Sequence, residues 1–239
     1  MILCIRIRKL AKILREEGNV MIITNQGVGH FNEGLNNQDF GFESSRALVI
    51  LDGCSGAKYP EVGTRLFAQI FQRKEDWENV DKFETNVKET FDDIIKLTER
   101  NFDKGNDKEI FIKDNMLFTI IACFKTEKSY IVKIFGDGYV ITKNASGIIS
   151  YIKFHYGECP PYYAYKYCKS IKPILKDFVT IVFERKNIPK IAIATDGIRP
   201  FELGKVKGKD EDLINGISVS IKEVIMQNNF FDDTTIATF

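Results

Sequence analysis

Four segments of this chain bring an apolar run and an aspartate together at a turn. ALVILDG closes on Asp52, YIVKIFGDG on Asp137 and IAIATDG on Asp196, while FFDDTT sets Asp232 and Asp233 just before a last apolar run. Each alone reads as a turn, because Asp-Gly pairs adopt turns at little steric cost. Together they admit a second reading, in which the four ends converge into a cage of carboxylate oxygens. Carboxylates at close range repel one another and have raised pKa values unless a cation neutralises them. A cage of aspartates, a backbone carbonyl and water suits hard cations such as Mg²⁺ or Mn²⁺. Glycine after aspartate lets the backbone approach an ion, and Gly53 has a carbonyl to offer.

Other chemistries find less material. The five cysteines are scattered, with no CxxC pair, and the only histidines are His30 and His155. That argues against a histidine-rich zinc site and against a Ser-His-Asp nucleophile. Cys54 sits inside the DGCSG turn, but nothing near it in sequence supplies a base.

The elements that must position the aspartates follow from periodicity. Short apolar or β-branched runs at 20–24, 46–51, 116–124, 130–135, 139–142, 178–183, 191–195 and 235–239 read as strands. Phe83, Val87, Phe91, Ile94, Ile95, Thr98 and Phe102 recur at helical spacing and mark one face of a long helix. A shorter helix fits 61–73 with Val62, Leu66, Ile70 and Phe71 inward, and a third fits 212–228. Two helices in a block, a strand meander and one helix before the last strand predict an α+β fold rather than regular βαβ alternation. The link FGDGY, 135–139, reads as a tight turn between antiparallel neighbours.

At 239 residues, 44% of them hydrophobic, the chain can build one substantial core. Its 34 basic and 33 acidic residues leave a formal charge of +1, which gives no broad drive toward nucleic acid or an anionic membrane. No apolar run reaches the roughly 20 residues that span a bilayer, and the first residues lack a small-residue cleavage site after an apolar region. A cytoplasmic protein is expected. Residues 1–18 read as an extension or a short amphipathic helix carrying Leu10, Ile13 and Leu14, with one domain over 19–239.

Taken together, NNQDF (36–40), LDGCSGAKYPEVGTRLF (51–67), FGDGYV (135–140), ATDGI (194–198) and FDDTTIATF (231–239) resemble, in order and separation, the metal-dependent protein phosphatases of the 2C type. The likeness runs over about residues 20–239, and GAKYPEVG is similar to a bacterial subgroup. It implies a four-layer α-β-β-α sandwich around a central antiparallel β-sandwich. It further implies a phosphoserine/phosphothreonine phosphatase in which water, activated at a binuclear Mg²⁺ or Mn²⁺ centre, attacks phosphorus. The partner would be a phosphorylated protein, such as the product of a serine/threonine kinase.

Carried over residue by residue, the resemblance makes Asp52 the bridge between two ions and the Gly53 carbonyl a ligand. Asp196 and Asp232 become further ligands, and Gln38 stands where a glutamate often holds a metal-bound water, with Asp39 behind it. Asp137 matches an aspartate that joins an additional site, raising the ions from two to three, although glycine replaces the serine that normally follows. Gly34 stands where many relatives have a phosphate-binding arginine, and Ser55 where glycine is common. His30, in a glycine-flanked loop, is a substitute phosphate contact or an ordinary structural histidine. The segment HYGECPPYYAYKYC, 155–168, lines a substrate groove or packs in the core. Gly34 and Gln38 also motivate a phosphatase-like binding module without turnover, and a structural domain whose Asp-Gly pairs are only turns is a third reading.

Overall fold

The computed structural model describes residues 20–99, 105–157, 159–199 and 230–239. Their core consists of two antiparallel five-stranded sheets. One has the order β1 (Met21–Asn25), β10 (Thr234–Thr238), β9 (Lys190–Ala194), β6 (Gly138–Lys143), β7 (Ile149–Phe154). The other runs β2 (Phe40–Glu43), β3 (Ala47–Gly53), β4 (Phe118–Lys125), β5 (Ser129–Phe135), β8 (Val179–Glu184). The helices are α1 (Val28–Glu33), α2 (Pro60–Phe71), α3 (Phe83–Glu99) and α4 (Gly105–Asn115). This is the expected α+β sandwich; the predicted helix at 212–228 and the extension at 1–18 lie outside the described residues.

The burial of β3 explains its unbroken apolar sequence. Ala47, Val49 and Leu51 pack in one cluster with Phe67, Phe71, Phe83, Val87 and Phe91 of α2 and α3. Leu48 and Ile50 point the other way, into a cluster with Ile191, Ile193 and Ala237 of the opposite sheet. With both faces covered, alternation has nothing to report. At the sheet edge, β8 alternates between half-buried and exposed positions. Burying a side chain such as Leu48 or Phe67 stabilises the fold by roughly 1.5–3 kcal/mol.

The long helix keeps its predicted stripe over the described residues, with Phe83, Val87, Phe91, Ile94, Ile95 and Thr98 buried; Phe102 lies outside them. In α2 the face is rotated: Val62 is 47% exposed, and Pro60, Gly63, Thr64, Phe67, Ala68 and Phe71 are inward. Thr64 sits on this inward face, and its hydroxyl donates to the Gln38 carbonyl at 3.0 Å. Two short strands escaped the sequence reading: β2 has only four residues, and β7 is a sheet edge of mixed polarity.

The FGDGY link corrects an expectation. It is no hairpin: β5 pairs with β4 and β8, whereas β6 pairs with β7 and β9. The chain leaves one sheet at Phe135 and enters the other at Gly138, with Gly136 and Gly138 at φ of 118° and 131°. Such values are open to glycine and strained for other residues, so the sheet change needs both.

Candidate metal and phosphate site

All four aspartate-bearing segments reach the same end of the sandwich. Asp52 ends β3 in one sheet, Asp137 occupies the crossing between sheets, Asp196 follows β9, and Asp232 precedes β10. Together with Gly53 they line one cavity of about 390 Å³. Thr119 lies directly across from Asp52 in the β3–β4 register and lines the same cavity. Its Oγ1 is buried and has no hydrogen-bond partner among the described residues. Sequence reasoning passed over Thr119 because it sits inside an apolar strand; only cross-strand register places it beside Asp52.

A second tier of polar groups ties the two sheets together. Asp39, 2% exposed, accepts the Thr195 hydroxyl on Oδ2 at 2.9 Å, and its Oδ1 is buried with no partner among the described residues. Thr195 Oγ1 in turn accepts the Thr235 backbone N–H at 2.9 Å. Asp233 accepts the Gly27 N–H on Oδ1 at 2.7 Å and the Gln38 N–H on Oδ2 at 2.6 Å. The two residues of the DD pair therefore divide: Asp232 faces the cavity, and Asp233 is buried in the frame.

Three predicted residues, Gln38, Asp39 and His30, sit outside the cavity lining. Gln38 is 3% exposed, and its Oε1 is buried with no partner among the described residues. His30 is buried beside Asp233, with Nδ1 at 2.9 Å from Asp233 Oδ2 but out of line for a hydrogen bond, and Nε2 at 3.9 Å from Asp232 Oδ1. The structure gives His30 a carboxylate neighbourhood rather than a place on the cavity wall. The aromatic segment divides: His155, Cys159, Pro160, Tyr162 and Tyr165 line the cavity, while Tyr163 and Cys168 join the core.

The electrostatics follow from burial and crowding. Burial, with the charge of Asp233 next, raises Asp39 to about 8. Burial first, then the charges of Asp39, Asp196, Asp137 and Asp232, pushes Asp52 well above the usual carboxylate range. Burial raises Asp137 to about 6, with Lys153 opposing the shift. Asp196 is also raised to about 6, by burial and then by Asp137 and Asp232, against Lys153 and Arg199. Asp232 is raised, chiefly by burial.

The cavity carboxylates, with Thr119 Oγ1 left without a partner among the described residues, are hard oxygen donors of the kind a divalent cation takes. Among the described residues no three His, Cys, Asp or Glu side chains converge at ligating separation. The carboxylates stand around the cavity rather than closing on a point within it.

No family model matches the chain, and no curated protein matches it in sequence. Its fold is similar to that of a bacterial serine phosphatase, at 16% identity over 92% of this chain and 96% of that one, with a TM-score of 0.59. It is similar to the serine/threonine phosphatase Stp1 from Staphylococcus aureus, at 15% identity over 92% and 93% of the two chains, with a TM-score of 0.58. A third likeness is to the catalytic domain of the serine/threonine phosphatase PstP in complex with two manganese ions, at 15% identity over 92% and 96%, with a TM-score of 0.58. These neighbours are bacterial serine/threonine phosphatases of the 2C type, and at such identities the likeness is one of fold.

Proposed function

We propose that this chain is a metal-dependent phosphatase acting on phosphoserine and phosphothreonine in proteins, with its domain spanning 19–239. The observation that carries the reading is the meeting of Asp52, Asp137, Asp196 and Asp232, from four separate segments, at one cavity of a 2C-type fold. In this reading Asp52, Asp196, Asp232 and the Gly53 carbonyl would hold two Mg²⁺ or Mn²⁺ ions. Gln38 would act through a water, Asp39 would steady the group from behind, and Asp137 would serve an additional ion. Bound divalent cations would activate water and neutralise charge on the phosphate. The chain's own part is to hold carboxylates in place before substrate arrives, through the Asp39–Thr195 and Asp233–Gln38 hydrogen bonds. No cysteine or histidine nucleophile is needed.

The test is hydrolysis of a phosphothreonine peptide with and without Mn²⁺. Metal-dependent release of phosphate that is lost in Asp52→Asn supports the reading. Mn²⁺ binding without turnover would instead make the chain a phosphatase-like binding module, and the absence of both would leave the Asp-Gly pairs as turns.

A further inference from the structure

We propose that Lys153 and Arg199 form the wall that holds substrate phosphate, taking the part of the arginine whose expected position is occupied by Gly34; this rests on the phosphatase reading. Gly34 ends α1, capping it in the left-handed conformation, and lies outside the cavity lining. His30 is turned to Asp233 and Asp232. The cavity nonetheless has cations of its own: Lys153 and Arg199 both line it, together with the carboxylates.

Their placement follows from register. Tyr139 on β6 lies between Lys153 on β7 and Ala194 on β9, so the strand end that carries Asp196 and the lysine flank one residue. The Lys153 ammonium stands 5.7 Å from the Tyr139 ring centroid. Arg199 follows the single turn Asp196–Ile198. Both side chains belong to exposed residues, and neither has a carboxylate within ion-pair distance among the described residues. A cation that lines the same cavity as the carboxylates, yet is outside ion-pair distance of any carboxylate among the described residues, can take an oxygen of an incoming dianion. Arginine offers a planar fork to two phosphate oxygens and lysine a point charge, which suits a phosphomonoester held between cations and a metal-loaded acidic wall.

The experiment uses the full chain in saturating Mg²⁺ and a phosphonate analogue of a phosphothreonine peptide, which binds without being hydrolysed. Calorimetry should show affinity falling about tenfold or more in Lys153→Met and in Arg199→Met, since hydrogen bonds to charged groups are of that size. Lys153→Arg should recover most of the loss. Lys186→Met, a 75%-exposed lysine beyond the far end of β9, should bind as wild type. Metal affinity should stay level or rise in both Met variants, because a positive charge has left the neighbourhood of Asp137 and Asp196.

Unchanged phosphonate affinity in both Met variants, or a loss traceable to weaker Mg²⁺ binding, overturns the proposal. The two readings fail separately. Wild type that hydrolyses the peptide while the variants keep its KM removes the clamp and keeps the phosphatase. Wild type that binds the phosphonate through Lys153 without turnover keeps the clamp and removes the phosphatase. Absence of both binding and turnover removes both.

Discussion

Asp233 accepts the backbone N–H of Gln38 at 2.6 Å, and this single contact joins the start of β10 in one sheet to the entry of β2 in the other. Its second oxygen accepts from Gly27, so both lone-pair faces of a buried carboxylate are spent on backbone donors. Asp232, one residue earlier, is the member of the pair that lines the cavity. Adjacent identical residues thus have different duties, and substitutions should separate them.

Asp233→Asn places an amide N–H₂ where two backbone N–H groups need acceptors. It should cost about 1–3 kcal/mol, a fall in Tm of roughly 3 to 10 °C for a chain of this length. His30→Ala removes the neighbour of the same carboxylate and should also act on Tm, leaving KM for a phosphopeptide in place. Asp232→Asn should instead weaken Mn²⁺ binding with little change in the metal-free melt. Thermal melts and metal titrations on the three variants decide this; equal loss of metal affinity at 232 and 233 would contradict the division.

The carboxyl shifts predict a pH dependence with a definite sign. Asp137 and Asp196 rise to about 6 and Asp39 to about 8 on folding, and Asp52 moves the same way. The folded chain therefore binds more protons than the unfolded chain between the ordinary carboxylate value and these figures. The stabilising contribution is complete below about pH 4 and is lost as pH rises through 6 and toward 8. Metal-free protein in chelator should melt lower at about pH 8 than at about pH 5, and Mg²⁺ should restore much of the difference, because ligation needs ionised carboxylates. A metal-free Tm that climbs over this interval would show that the cluster does not govern it.

Asp52→Asn takes away the charge that faces Asp39, Asp196, Asp137 and Asp232. Near pH 7.5 the metal-free variant should melt at or above the wild-type temperature, because like-charge repulsion is relieved. Its Mn²⁺-induced stabilisation and its phosphopeptide hydrolysis should both vanish. Retained hydrolysis would remove Asp52 from the centre of the site.

Gly197→Ala tests how tightly the Asp196 turn is seated. A Cβ there would collide with the Asp233 carbonyl oxygen, which is backbone and cannot swing aside, and would lie 2.5 Å from the Thr234 side-chain Oγ1. The cost should be roughly 1–3 kcal/mol, read by denaturant unfolding, with activity falling as the turn is pushed from the cavity. Wild-type stability in this variant would show that the turn sits further from β10.

Much of this protein is written locally. The stripe Phe83, Val87, Phe91 and Ile94, the apolar strands and the aspartates at their ends each depend on a few neighbouring residues, because helix and strand periods are short-range properties. Short β2 and edge strand β7 carried too little of that signal. Sheet membership was beyond it: the FGDG link looks like a hairpin turn, and only the pairing of β5 with β8 and of β6 with β9 makes it a crossing between sheets. The inward-turned Thr64 meets the Gln38 carbonyl, 26 residues away in sequence. The position of Thr119 beside Asp52 and the division between Asp232 and Asp233 are likewise fixed by partners remote in sequence. The sequence by itself determined which oxygens are present and that they stand at strand ends. Tertiary structure decided which of them share a cavity and which cations face them, because register and hydrogen-bond pairing between distant segments set direction, and no local propensity encodes it.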